Sequence, residues 1–148
     1  MYKKILVPLD GSHFAEEILD PVEDLAKAFG AKVMLLQVEE EPLMFGYDEV
    51  VDESTYRQQK ERRKQMESYL SRIEKRFQKK GIKTKHYIAY GPVVGTLLTI
   101  AEKEDVDIIA LTSRGLDGSY RAMSQSVAAR LLERAHRPLL LIRKGSSD

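Results

Sequence analysis

The chain has no cysteine among its 148 residues, which excludes disulfides, thiol nucleophiles and cysteine-ligated zinc. It also lacks a dominant charge: 24 basic residues stand against 23 acidic ones, a net charge of +1. Such a balance makes no global case for nucleic acid or an anionic membrane surface, and neither is expected as a partner. No stretch approaches the ~20 apolar residues that span a bilayer. The opening "MYKKILVPLDG" starts like a leader, but Asp10 ends its apolar run too early for a signal peptide, so a cytoplasmic location is expected. Neither G-x-G-x-x-G nor a Walker loop is present, and G-x-S-x-G, the nucleophile elbow of the hydrolases, is absent. His13, His86 and His136 are scattered and fit no metal spacing. Neither an internal repeat nor a second domain is expected. Residues 1–144 are expected to form one domain, with 145–148 as a tail.

What is present is a regular alternation. "ILVPLD" (Ile5 to Asp10) reads as a strand buried on both faces. A helix is expected from Phe14 to Phe29, with Phe14, Ile18, Val22, Leu25 and Phe29 on one face and Gly30 as its cap. Pro21 inside it should mark a kink or a restart. Strands follow at Lys32–Val38, Lys83–Tyr90, Asp107–Thr112 and Pro138–Lys144, and helices at Ser54–Lys80, Val93–Glu104 and Ser126–Ala135. This βα order predicts an α/β fold, a parallel sheet with helices on both faces and right-handed crossovers. Ligands of such sheets sit beyond the carboxyl ends of the strands, at the topological switch point.

Two segments stand out by charge. Residues 39–53 hold seven acidic residues and no basic one, while Arg57 to Lys80 holds ten basic against three acidic. The two are expected to neutralise each other locally, leaving the rest of the helix as a solvated face.

The chemistry concentrates in "IIALTSRGLDGSYRAMSQSVAARLL" (Ile108 to Leu132), a buried strand, a glycine- and hydroxyl-rich loop, then a helix. Backbone N–H groups of a glycine loop and a helix N-terminus bind phosphate without side-chain charge. Gly115 and Gly118 permit such a nest, Ser113, Ser119, Ser124 and Ser126 offer hydroxyls, and Arg114 and Arg121 offer charge. The same residues also suit a plain strand-to-helix loop whose serines cap the helix. Asp10, at the carboxyl end of the first strand, is able to accept hydrogen bonds from a ribose or an amine, or to cap its own turn together with Ser12.

Taken together, "ILVPLDGS", "VMLLQVEE", "DIIALTSRGLDG" and "SVAARLLERAHRPLLLIRK" resemble the universal stress protein family, in order and over nearly the whole chain. The resemblance implies a five-stranded, Rossmann-like parallel sheet of order 3-2-1-4-5. It further implies a homodimer through the last strand (Pro138 to Arg143), a role in stress survival and, in one subgroup, ATP binding. That subgroup resembles Gly-x2-Gly-x9-Gly-Ser/Thr. Here its positions fall on Thr112, Gly115, Gln125 and Ser126, so two of four hold. The resemblance places Pro8 and Asp10 near the adenosine and the backbone of Val38 on the adenine edge. Thr112, Gly115, Gln125, Ser126 and Val127 would line the phosphates, with Arg114 nearby. Magnesium enters only if the phosphates carry it. β-Branched Thr112 and long Gln125 narrow the approach, so the adenine-nucleotide site is expected to be degenerate. No residue stands out as a general base, so at most slow ATP hydrolysis is expected. The other reading is a stress module that binds protein partners and no nucleotide.

Overall fold

The structure is a computed structural model; it describes residues 1–40, 53–113 and 127–143. Five parallel strands form one sheet: β1 (Lys4–Leu9), β2 (Lys32–Glu39), β3 (Thr84–Tyr90), β4 (Ile108–Thr112) and β5 (Leu139–Ile142), in the order β3-β2-β1-β4-β5. The helices are α1 (Leu19–Phe29), α2 (Glu53–Lys79), α3 (Val93–Lys103) and α4 (Val127–Arg134). The expected topology and strand order are both met. The strands and helices start and end within a residue or two of where the periodicity places them, as fraying ends do, except that α1 starts at Leu19 and not at Phe14.

The apolar runs are continuous because each inner strand is covered twice. Ile5, Val7 and Leu9 of β1 point with Val33 and Leu35 of β2 toward α1 and α2, where they meet Ile18, Val22, Leu70, Ile73 and Phe77. Leu6, Met34, Leu36, Ile109 and Leu111 point the other way, toward Val94, Leu97, Ala101, Ala128 and Leu131 of α3 and α4. A period-2 alternation of destination thus underlies a sequence with no alternation of polarity.

Pro21 marks a restart. A 3-10 turn at Ala15–Ile18 precedes α1, and Pro21 sits in the first turn of α1, where its missing N–H breaks no helical bond. Gly30 closes α1 at φ 62°. Phe29 departs from the expected stripe: it is 45% exposed and stacks edge-on against Tyr2, because it lies in the last turn of α1, beyond the edge of the layer.

The basic face of α2 is not simply solvated. Arg62 does meet Glu39, with Nε 2.9 Å from Oε1. Arg57 likewise meets Glu53, the last acid of that segment, at 3.0 Å, and further partners come from the preceding 3-10 turn and α1. Arg72 reaches Glu16 at 3.3 Å, Arg76 reaches Asp20 and Glu23 at 2.7 Å each, and Lys80 reaches Glu23 at 2.7 Å. The two helices lie side by side on one sheet face, so acids some 55 residues away in sequence also pair with α2. Residues 41–52 of that segment lie outside the described residues.

α2 is also tied to β3. His86 stands between two carboxylates of α2: its Nε2 is 2.7 Å from Glu67 Oε2, and its Nδ1 contacts Glu74. Burial opposes charging the ring, but the hydrogen bonds and charges of Glu67 and Glu74 outweigh it and raise its pKa above the ordinary value. The imidazolium is stabilised by folding, so its contribution is full below the unfolded value of about 6.5 and is lost as pH rises through the raised folded value. Thermal melts should therefore show stability falling across that alkaline step in the parent, and His86→Gln should flatten it. A parent profile that is flat from pH 6 upward would show that the clasp contributes nothing.

Candidate functional site at the carboxyl edge of the sheet

β1 lies at the switch point, between β2 and β4. It pairs with β2 from Lys4 to Leu9, whereas its register with β4 covers only Ile5 and Leu6. Buried Pro8 has no N–H to offer a ladder, and the β1–β4 pairing stops short of it. The crevice expected at the switch point therefore begins beside Pro8.

Past Leu9 the chain turns sharply. Gly11 takes φ 89°, a region that side chains rarely allow. Asp10 Oδ1 accepts hydrogen bonds from Ser12 N at 2.9 Å and Ser12 Oγ at 2.6 Å, and Ser12 Oγ in turn accepts one from Ala15 N at 3.3 Å. Asp10 is thus a turn former as well as a rim carboxylate: one oxygen holds the backbone, which fixes where the carboxylate stands. Tyr69 of α2 packs against this turn, its hydroxyl 3.5 Å from the Ser12 carbonyl oxygen. Burial, then the carboxylates of Glu16 and Asp10, push its pKa well up, so the phenol stays neutral.

A cavity of about 280 Å³ opens at this edge, lined by Asp10, Gln37, Val38, Glu39, Glu40, Arg62 and Val93. It is small for a ligand pocket, which usually measures ~300–1,000 Å³. A second cavity of about 520 Å³ shares Glu39, Glu40 and Arg62 with it and runs along α2 to Tyr56, Arg63 and Tyr90. There the Arg63 guanidinium lies 5.7 Å from the Tyr90 ring centroid. Cavities of about 600 and 610 Å³ lie elsewhere, one at the amino-terminal ends of β1–β3 and one beside α3 and the start of β5. They are larger, but neither touches the switch point, so size alone does not locate the site.

The structure brings Asp10 and Val38 into one cavity, while Pro8 is buried within β1 and does not line it. Thr112 is the last residue of β4, at the same sheet edge, and is buried at 6% exposure. Val127 opens α4 and is half-buried. Arg114, Gly115, Gln125 and Ser126 lie outside the described residues, so the proposed phosphate side of the site rests on sequence. Among the described residues, no group of His, Asp and Glu forms a metal site. Gln37 was not singled out by sequence reasoning, yet it lines the cavity and is 2% exposed. Its signal was visible: it is the one polar residue inside the apolar run "VMLLQV".

The model of the universal stress protein family matches residues 1–143. The chain belongs to the universal stress protein family. Among curated relatives of this universal stress protein, MJ0531 of Methanocaldococcus jannaschii is 28% identical over 153 residues, covering 100% of this chain and 86% of the relative. Among solved structures, MJ0577 of the same organism superposes with a TM-score of 0.84 at 28% identity, covering 99% of each chain. A universal stress protein family member of Arabidopsis thaliana, solved with AMP bound, superposes with a TM-score of 0.70 at 14% identity, covering 97% of this chain and 93% of that one. At that identity the likeness is one of fold.

Proposed function

We propose that this universal stress protein is a cytoplasmic regulatory protein that binds an adenine nucleotide at the carboxyl edge of its sheet and acts as a dimer, by binding rather than by turnover. The observation that carries this reading is the cavity in which Asp10 and Val38 meet, at the carboxyl ends of β1 and β2. The AMP-bound family member supports the ligand class. The nucleoside lies against Asp10 and the Val38 backbone. The phosphates run toward the end of β4 and the start of α4, where Thr112, Arg114, Gly115, Gln125, Ser126 and Val127 stand in the sequence. Bound magnesium arrives with the phosphates. Mass spectrometry of the purified protein, native and then denatured, tests this. A released adenine nucleotide supports it. A protein that carries none and binds neither AMP nor ATP in titration is better described as a module for protein partners.

The contrast between the two sheet edges supports the dimer. The β3 edge carries exposed Lys83 and Lys85, charges that discourage strand pairing. The β5 edge offers Leu139–Ile142, apolar at every position and only half-buried, a template for isologous pairing. The parent should sediment as a dimer at micromolar concentration, and Leu141→Lys should shift it to monomer. A parent that is monomeric throughout would remove the dimer from the proposal.

A further inference from the structure

Gln37 sits on β2 in register with Leu9, just inside the rim of the sheet. It is 2% exposed, and its Oε1 has no hydrogen-bond partner among the described residues. A buried acceptor left unpaired is costly and uncommon. Its surroundings explain why none is supplied. The other polar side chains of the cavity wall are the carboxylates of Asp10, Glu39 and Glu40, which are also acceptors, and Arg62, whose guanidinium is held by Glu39. The chain folds back over Gln37 at Gly11, where a Cβ would stand 3.8 Å from Gln37 Nε2, so the carboxamide is held between the β1 turn and the cavity.

The geometry points to Gln37 as a specificity-determining residue, whose Oε1 accepts a hydrogen bond from an N–H or O–H donor of the bound ligand. This rests on the nucleotide reading above and deepens it. A wall of acceptors repels phosphate and favours the neutral, donor-bearing end of a nucleotide. Two groups of a nucleoside provide such a donor: the exocyclic amine of adenine, for which a glutamine carboxamide is a natural partner, and a sugar hydroxyl. A site that holds a buried acceptor for one donor discriminates against the analogue lacking it, because the acceptor is then left unpaired.

The test is calorimetric titration of AMP, IMP, 2′-deoxy-AMP and 3′-deoxy-AMP into the parent, Gln37→Leu and Gln37→Met. The parent should lose about tenfold in affinity for the analogue that lacks the donor accepted by Oε1. Loss with IMP identifies the amine, and loss with a deoxy analogue identifies the hydroxyl. In both variants that difference should shrink to about twofold or less. Neither variant should melt below the parent, since each removes an unpaired buried oxygen, and a rise of about 2–4 °C is expected. A parent that binds all four ligands alike, or variants that discriminate as the parent does, would overturn this role for Gln37 and leave the nucleotide reading standing. A parent that binds none of the four overturns both.

Discussion

Glu23→Ala should lower the stability of the protein by about 2 kcal/mol, a fall of roughly 4–8 °C in melting temperature for a chain of this size. Glu23 is 6% exposed and holds two cations of α2: Arg76 Nε at 2.7 Å from one oxygen and Lys80 Nζ at 2.7 Å from the other. Breaking a fully buried pair costs ~3–5 kcal/mol, chiefly because one charge is left stranded. Here the surviving cations are 38% and 43% exposed and regain water, which discounts the loss. The asymmetry gives a sharper comparison. Removing both cations (Arg76→Ala with Lys80→Ala) leaves the buried carboxylate with neither partner and should cost more than Glu23→Ala. Arg72→Ala breaks only a 3.3 Å pair whose arginine is 64% exposed, and surface pairs are worth ~0–1 kcal/mol. Urea melts should rank the losses with the double variant largest, Glu23→Ala next and Arg72→Ala smallest. Equal losses for Glu23→Ala and Arg72→Ala would show that α2 is held on α1 by its apolar stripe alone.

The second large effect is a gain. Thr112→Gly combined with Gln125→Gly should tighten ATP binding by about tenfold or more while adding no contact. The resemblance puts glycine at both positions in the ATP-binding subgroup, where backbone must approach the nucleotide. Thr112 ends β4 at the switch-point edge and is β-branched and buried, so its side chain takes up room at that edge. Each charge-assisted hydrogen bond that the phosphates recover from backbone donors is worth roughly 1.5–3 kcal/mol, and ~1.4 kcal/mol is one decade of affinity. The opposing cost is flexibility, roughly 0.5–1 kcal/mol per glycine within regular structure, so the variant should melt lower. Calorimetric titration against the parent decides. Equal or weaker binding in a folded variant would show that these side chains do not obstruct the phosphates. Micromolar ATP binding by the parent would mean that the site is not degenerate and accepts Thr112 and Gln125 as they stand.

The fold was legible because its strongest signals are local or periodic. "ILVPLD" and "DIIALT" are apolar without alternation, as strands covered on both faces must be, and Gly30 and Pro21 each do at a helix end what their backbone chemistry dictates. The strand order came from the family resemblance, and the sheet bears it out. Asp10 and Val38 were legible as rim residues because strand ends and the switch point follow from the order of elements. What stayed hidden depends on partners distant in sequence. The charge excess of α2 gave the sign of its partners but not their identity, and Glu16, Asp20 and Glu23 pair with it only once α1 and α2 lie together. His86 read as a stray histidine because Glu67 and Glu74 become its neighbours only when α2 crosses β3. Gln37 was passed over as a polar interruption of a strand, since sequence does not say whether a buried amide finds a partner.

An adenine nucleotide bound at the carboxyl edge of β1 and β2 is seen most directly by titrating AMP into ¹⁵N-labelled protein and following the backbone amides. Saturable shifts are expected at Asp10, Gly11, Ser12, Val38 and Thr112, with little change at Lys32, Lys83 and Lys85 around the cavity at the opposite edge. An unchanged spectrum at millimolar AMP, or shifts confined to that opposite edge, would contradict such binding.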